Sequence, residues 1–156
     1  MTWKTCETDE DYRLARQLLQ KERRKVWTLK WRGVDYVLDP CIENGKVLIA
    51  KGENGLASGV FAYSVSDEDG KKTGYVEIML IDGNSQRKKI SLGGPSFWFK
   101  VMEAEGIEEL RWKTKTKREK LYNRIASPTR RSRLKGRLEY SISLSKLRER
   151  FRRRRE

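Results

Sequence analysis

The sequence contains no histidine, and its 156 residues include only two cysteines and three prolines. Without histidine, the chain cannot build a Ser-His-Asp or Cys-His catalytic system, a histidine general base or a histidine-ligated metal site. Cys6 and Cys41 lack the close spacing of metal-binding cysteines. We interpret them as two reduced thiols of a cytoplasmic protein, and we expect no metal.

Long apolar runs are absent as well. No stretch approaches the roughly 18 consecutive apolar residues that a membrane-spanning helix needs. The first residues, Met1 to Lys4, lead into acidic residues without the apolar segment of a secretory signal. The length suits a single domain with its own core, and we expect no membrane partner.

Positive charge is abundant and unevenly distributed. The chain has 36 Lys or Arg against 22 Asp or Glu, a net charge of +14. Residues 111–156 hold 19 basic and 4 acidic residues, a net charge of +15, which leaves 17 basic and 18 acidic residues in the first 110. This asymmetry favours a nucleic acid or another polyanion as a partner; the alternative is a basic surface that serves only solubility.

The N-terminal pattern predicts a helix from Asp9 to Val26. Thr8 or Asp9 is suited to cap it, acidic residues occupy its first turn, and apolar residues recur at helical spacing. The following segment, Val26 to Asp39, alternates apolar and polar residues and predicts a short strand or an irregular element.

Three runs rich in β-branched and aromatic residues follow. Turn sequences, Asn54-Gly55 and Asp69-Gly70, separate them. Such runs joined by Asn-Gly and Asp-Gly predict an antiparallel meander. Its strands are expected at Lys46–Lys51, Leu56–Val65 and Thr73–Asp82.

The rest of the chain alternates helical and strand patterns around a polar loop. This order predicts an α/β fold in which an antiparallel meander is followed by a parallel β-α-β crossover, with helices on both faces of a mixed sheet. We expect one domain over residues 1–147 and a basic tail over 148–156. The expected elements are a loop at Gly83–Gly94, a helix from Pro95 to about Glu105 that stops at Gly106, a strand at Ile107–Thr114, a helix at Lys117–Ala126 and a strand at Leu138–Leu147.

This order of elements resembles the GNAT acyltransferase superfamily over about residues 1–147. The segment from Trp3 to Asp11 is similar to that family's first strand and capped helix, and the meander matches its second to fourth strands. The stretch Lys120-Leu121-Tyr122-Asn123-Arg124-Ile125-Ala126 is similar to the family's LYxRLG signature. The resemblance implies acyl transfer from acetyl-CoA to an amine.

In that family, a glycine-containing loop after the fourth strand binds the pyrophosphate of the cofactor at a helix N-terminus, where unpaired N–H groups converge. The corresponding loop here has different glycine spacing, and the alternative is a basic surface loop. The residues that the resemblance assigns to acetyl-CoA are Gln86, Arg87, Lys88, Lys89, Ser91, Gly93 and Gly94.

Two residues are candidates for catalysis. Glu77 lies within the third run and matches the family's general base, and the alternative is a carboxylate that faces water. Tyr122 matches the tyrosine that protonates the departing thiolate, and the alternative is ordinary helix packing. Asp82 is a weaker candidate base, because Asp82-Gly83-Asn84 already has the composition of a turn.

Lysine and arginine at the density of the last third neutralise phosphates and release counterions. Trp112, Tyr122, Tyr140 and Phe151 are interleaved with them and could stack on bases, although core packing is the alternative for most of them. The candidate nucleic-acid-binding residues are Lys113, Lys115, Lys117, Arg118, Lys120, Arg130, Arg131, Arg133, Lys135, Arg137, Arg152, Arg153, Arg154 and Arg155.

Two hypotheses therefore stand. The first is an acyl-CoA-dependent N-acyltransferase whose target is associated with nucleic acid or another polyanion. The second is a GNAT-shaped protein that has lost catalysis and binds nucleic acid, or assembles in a phage particle or a ribonucleoprotein.

Overall fold

The computed structural model describes residues 2–82, 94–115, 133–134 and 137–155. Seven strands of these residues form one sheet in the order β1-β2-β3-β4-β5-β7-β6. The strands are β1 Thr2–Thr5, β2 Gly45–Lys51, β3 Ala57–Glu68, β4 Lys71–Ile81, β5 Glu109–Lys115, β6 Arg133–Leu134 and β7 Arg137–Ser143. The α-helices of the described residues are α1 Asp9–Lys21, α2 Trp27–Arg32, α3 Val34–Asn44, α4 Gly94–Ala104 and α5 Leu144–Arg155.

The sheet is mixed, as the sequence predicts. β1 pairs with β2 and β2 with β3 in antiparallel register. β4 and β5, which α4 connects, are parallel and pair Thr73 with Glu109, Gly74 with Leu110 and Tyr75 with Arg111. β7 lies antiparallel to β5 and to β6. The α/β class and the meander followed by a parallel crossover are confirmed.

The chain divides into two compact units. The N-terminal unit comprises Met1–Ser64 and Val76–Val101, and the C-terminal unit comprises Val65–Tyr75 and Met102–Glu156. In the N-terminal unit, α1, α2 and α3 cover the buried side chains of Val47, Ile49, Val60, Ala62, Ile78 and Leu80. Burial of this apolar area is the main stabilisation of the unit.

Local chemistry accounts for the start of α1. The Thr8 hydroxyl accepts a hydrogen bond from the Asp11 backbone N–H at 3.1 Å, and the Asp11 carboxylate accepts one from the Thr8 N–H at 3.3 Å. This reciprocal pair satisfies two N–H groups that a helix start leaves without partners. Thr8, one of the two predicted capping residues, is therefore the N-cap.

The end of α1 differs from the prediction. The helix ends at Lys21, and a short 3-10 turn at Arg23–Lys25 follows. Leu14, Ala15, Leu18 and Leu19 are buried, but no apolar residue between Lys21 and Lys25 continues that stripe. Without an apolar face to pack, the helix has little reason to continue.

The segment Val26 to Asp39 was also predicted wrongly. It forms α2 and the first part of α3, which Gly33 separates with a φ of 89°. The buried residues Val34, Val37, Leu38 and Cys41 repeat at the spacing of a helix face. Packing of this face prevails over the alternating pattern and over Pro40, which lies inside α3.

The two turns of the meander follow their sequences. Asp69 and Gly70 adopt φ values of 54° and 76°, which is the geometry of the two-residue hairpin turn for which Asp-Gly is preferred. Gly55 adopts a φ of 78°, and the Asn54 side chain accepts a hydrogen bond from the Leu56 N–H at 3.0 Å. Both turns are confirmed.

The C-terminal unit contains a buried arginine. Arg111 on β5 is 6% exposed, and its guanidinium pairs with the carboxylates of Glu68, of Glu109 at 3.1 Å and of Asp69 at 3.9 Å. The Ser141 hydroxyl of β7 donates to the same Glu109 carboxylate. These acids neutralise Arg111, which is therefore a structural cation rather than part of a binding surface.

The strand predicted at Leu138–Leu147 ends earlier, at Ser143, and α5 begins at Leu144. Leu144 and Leu147 are both buried at helical spacing, 3% and 7% exposed. Residues 148–155, which belong to the expected basic tail over 148–156, continue this helix.

Candidate functional site

One apolar side chain is exposed in the interior of the sheet. Ile78 and Leu80 on β4 are buried, but Met79 between them is 53% exposed, although β4 lies between β3 and β5 in the strand order. Alternating residues of a strand point to opposite faces. The face of β4 that carries Met79 is therefore accessible, and it offers an apolar surface to a ligand.

Glu77 lies two residues before Met79 and is half-buried. Its charge acts on Cys41 of α3: burial first, and then the negative charge of Glu77, raise the pKa of the Cys41 thiol to about 12. The pKa of Cys6 is also raised to about 12, chiefly by burial. Both cysteines are free and buried, and neither is ionised near neutral pH, so neither is suited to act as a nucleophile.

The start of α4 is packed against two tryptophans. A Cβ added to Gly94 would lie 3.0 Å from the Trp98 ring and 3.1 Å from Nε1 of Trp3. Trp3 and Trp98 contact each other edge to face at 5.1 Å, and Trp98 stacks on Phe61 at 4.4 Å. Glycine at position 94 is therefore explained by the close approach of the two rings.

The same two rings carry buried N–H groups that have no partner among the described residues. Nε1 of Trp3 and Nε1 of Trp98 are inaccessible to solvent, and neither makes a hydrogen bond within the part of the chain that the structure describes. Buried indole N–H groups normally have an acceptor, so these two are unsatisfied donors. Nε1 of Trp3 lies beside the first turn of α4, where the backbone N–H groups of a helix are unpaired. This concentration of donors fits an anionic group such as the diphosphate of acetyl-CoA.

Solved structures resemble this chain over nearly its whole length. An N-acyl amino acid synthase, FeeM, from uncultured soil microbes has a TM-score of 0.69 and 12% identity, covering 96% of this chain and 93% of its own. An acetyltransferase of the GNAT family from Staphylococcus aureus has a TM-score of 0.63 and 13% identity, covering 92% and 99%. The chain has the GNAT fold.

A further structure with this fold is a chain of the NatC complex bound to Gag peptide and CoA, with a TM-score of 0.62 and 12% identity, covering 90% of this chain and 94% of its own. By sequence, neither a protein-family model nor a curated protein matches the chain. At these identities, the likeness establishes the GNAT fold and leaves the activity open.

Most of the predicted cofactor loop lies outside the described residues, namely Gln86, Arg87, Lys88, Lys89, Ser91 and Gly93. Gly94 is described as the first residue of α4, one position earlier than predicted, with Pro95 second. The predicted stop of this helix is confirmed, because Gly106 has a φ of 79° and follows the last helical turn.

Of the two catalytic candidates, the structure describes Glu77 and not Tyr122. Glu77 lies on β4, as predicted, and its role as a base stays a prediction. Asp82 follows β4, its N–H donates to the Ser58 carbonyl at 2.8 Å, and its carboxylate lies 3.7 Å from the Lys21 ammonium. These contacts give Asp82 a structural role, which accounts for an acidic residue at this position without catalysis.

The candidate nucleic-acid-binding residues are described in part. Lys113 on β5 is exposed, and its ammonium lies 6.0 Å from the centre of the Tyr75 ring. Lys115, Arg133, Arg137 and Arg152–Arg155 lie on described strands and on α5, without described side chains. Lys117, Arg118, Lys120, Arg130, Arg131 and Lys135 lie outside the described residues.

Tyr140, a candidate for base stacking, is fully buried and stacks on Trp112 at 5.5 Å. The packing alternative is therefore correct for Tyr140. Tyr122 lies outside the described residues, and the side chain of Phe151 is not described.

Sequence reasoning did not find Met79, Trp3 or Trp98. Alternation in the third run would have placed Met79 on the face opposite Ile78 and Leu80, but it would not have shown that about half of Met79 is exposed. Within the described ranges, no group of three or more Cys, Asp or Glu is arranged to hold a metal ion, and no helix is long and apolar enough to cross a membrane.

Proposed function

We propose that this protein is an acyl-CoA-dependent N-acyltransferase. The observation that carries the proposal is the start of α4, where the indole N–H of Trp3, unsatisfied among the described residues, lies beside Gly94 and the first helical turn, whose backbone N–H groups lack partners within the helix. Such a site favours an anion. The GNAT fold of the chain and the bound CoA of the NatC structure support a coenzyme A diphosphate as that anion.

Acetyl-CoA, when bound, supplies an acyl thioester as the electrophile. The start of α4 and Trp3 would hold its diphosphate, and Met79 would offer apolar contact on the open face of β4. Backbone N–H groups of β4 would polarise the acyl carbonyl. Glu77 would accept the proton of the attacking amine, and Tyr122 would donate a proton to the departing thiolate. The free, buried cysteines support a cytoplasmic location.

Calorimetric titration with acetyl-CoA tests the proposal directly. We expect binding that Trp3→Phe weakens about 10- to 100-fold, because the variant loses one hydrogen bond to a charged group. Trp31→Phe is the matched control, since Trp31 is 70% exposed and should bind as the wild type does. No heat and no thermal shift at millimolar acetyl-CoA would refute the acyltransferase proposal.

Tyr122→Phe tests the acid. We expect kcat to fall roughly 100-fold or more, in line with general acid catalysis, with nearly unchanged thermal stability. A loss of stability with normal specific activity would show that Tyr122 only packs.

The second candidate function is nucleic-acid binding by a GNAT-fold protein without catalysis. The charge distribution favours it, because residues 111–156 carry a net charge of +15 and the first 110 residues a net charge of −1. Binding of a polyanion together with failure to bind acetyl-CoA would select this candidate.

A further inference from the structure

A second basic region lies in the N-terminal unit. Residues 23–32 contain five Lys or Arg, two Trp and no acidic residue. All five cations are exposed, among them Arg24, Lys30 and Arg32. This region lies within the first 110 residues, whose net charge is close to zero. The net charge of that part of the chain therefore does not reveal it.

Two exposed aromatic rings accompany these cations. Trp31 is 70% exposed and Tyr36 is 60% exposed. The Lys30 ammonium lies 5.7 Å from the centre of the Trp31 ring, and the Arg32 guanidinium lies 5.1 Å from the centre of the Tyr36 ring. We call Arg24, Lys30, Trp31, Arg32 and Tyr36 the aromatic–basic surface.

A buried leucine and side-chain hydrogen bonds hold this surface in place. Leu29 on α2 is fully buried, and the Arg23 guanidinium donates to the Leu29 carbonyl at 3.0 Å and to the Lys30 carbonyl at 3.5 Å. Arg32 donates to the Tyr36 hydroxyl at 2.7 Å, which fixes its guanidinium on α3. The rings and cations are therefore presented on ordered backbone, which lowers the entropy cost of binding.

The cations of this surface are not neutralised by neighbouring acids. Asp35 and Asp39 on α3 lie 3.0 Å and 3.7 Å from Arg16, and Glu22 lies 2.7 Å from Lys25. Within the described part of the chain, Arg24, Lys30 and Arg32 form no ion pair with an acidic residue. They are available to a partner's negative charges.

We propose that the aromatic–basic surface binds single-stranded nucleic acid, with a base stacked on Trp31 and phosphates on Arg24, Lys30 and Arg32. Exposed rings beside cations are what sequence-tolerant recognition of single strands requires, because every base has a face that stacks. This binding goes beyond the proposed acyl transfer and does not depend on it.

Other occupants fit the surface less well. A lipid surface is favoured by a broad apolar helix face, but Trp31 is the only large apolar side chain exposed among the described side chains of the six-residue α2. A second copy would bring two regions of the same positive charge together. An acidic peptide satisfies the cations without requiring the rings.

Fluorescence anisotropy of a labelled oligothymidylate of about 12 nucleotides tests the proposal. We expect Trp31→Ala to weaken binding about 5- to 100-fold, which corresponds to one lost stacking contact, and Trp31→Phe to retain most of the affinity. Lys30→Ala should reduce the slope of log affinity against log salt by about 0.7, whereas Trp31→Ala should leave that slope unchanged.

Matched controls separate this surface from other exposed residues of the N-terminal unit. Leu56→Ala removes an exposed apolar side chain elsewhere in the N-terminal unit, and Lys100→Ala removes an exposed cation on α4; the first should bind as the wild type, and the second should not alter base-dependent affinity. Inorganic polyphosphate has no bases, so its affinity should be the same for Trp31→Ala and the wild type.

Three results would overturn the proposal: no binding of the oligonucleotide, wild-type affinity in Trp31→Ala, or an equal loss of polyphosphate binding in that variant. Anionic vesicles that bind through Trp31 while the oligonucleotide does not would assign the surface to lipid instead. Trp31 is exposed, so thermal unfolding of the variants should match that of the wild type.

Discussion

Asp11 is a carboxylate that is 1% exposed and yet ionised. Burial alone would raise its pKa, but hydrogen bonds from the Glu7 and Thr8 backbone N–H groups and the Lys4 and Lys51 ammonium groups outweigh burial and hold the pKa well below its usual range. Lys4 lies on β1 and Lys51 on β2. Asp11 therefore completes the capping box of Thr8 and links α1 to two strands through ion pairs.

A pKa lowered by folding stabilises the native state above the ordinary pKa of Asp, about 4, and this stabilisation is lost as the pH falls towards the lowered value. We expect Asp11→Ala to reduce the free energy of unfolding by about 1–3 kcal/mol near pH 7, through loss of the cap and of its hydrogen bonds. Urea unfolding between pH 7 and about pH 3 should show a constant difference down to about pH 4 and a shrinking difference below it.

Asp9→Ala is the matched control for Asp11→Ala. Asp9 is exposed in the first turn of the same helix and interacts mainly with the helix dipole, which is worth about 0.3–1 kcal/mol. If both substitutions have the same cost at every pH, the buried ion pairs of Asp11 contribute nothing measurable.

α5 carries opposite properties at its two ends. Leu144 and Leu147 near its start are buried, and the Arg148 guanidinium pairs with the Glu103 carboxylate of α4. Its last four residues, Arg152–Arg155, are all basic. The start of the helix therefore contributes to the packing of the C-terminal unit. We expect the end of the helix to contribute positive charge and not packing.

We expect Leu147→Ala to lower the free energy of unfolding by about 2–4 kcal/mol, since it leaves a cavity in a packed region. Ser145→Ala on the exposed side of the same turn should change it by less than about 0.5 kcal/mol. Deletion of residues 152–156 should likewise leave thermal unfolding nearly unchanged. A large loss on that deletion would mean that the last turn is also packed.

At the scale of the whole molecule, the net charge of +14 predicts a salt-dependent attraction to polyanions. If five to eight residues of the last third contact phosphates, log affinity for duplex DNA should fall with log salt with a slope of roughly −4 to −7. Deletion of Arg152–Arg155 should reduce the slope by about 2 to 4 and weaken all sequences alike.

Filter binding of duplex DNA at several salt concentrations measures this slope. Lys71→Ala, an exposed cation outside residues 111–156, is the control and should change the slope by less than about one contact. A flat salt response would assign the basic third to an acidic protein partner or to solubility. Arg111 is buried, so it is not among the residues that we expect to contact phosphates.

The sequence by itself determined the features that depend on neighbours along the chain. The Thr8 cap forms with a residue three positions away, and Asp69-Gly70 reaches positive φ because these two residue types tolerate it. The meander, the helix stop at Gly106, the class of the fold and the charge asymmetry follow from similarly local chemistry or from composition. Glu77 was placed correctly on its strand for the same reason.

Only the tertiary structure decided what each side chain meets across the fold. Residues 27–32 and 34–39 are helical because α2 and α3 pack on the sheet, Arg111 is neutralised by Glu68 from a distant part of the chain, and Tyr140 is buried rather than exposed. The exposure of the Met79 side chain and the lack of a described acceptor for the Trp3 N–H likewise depend on which side chains pack against them. Burial is a property of the assembled layers, and no local pattern of residues records which positions those layers leave uncovered.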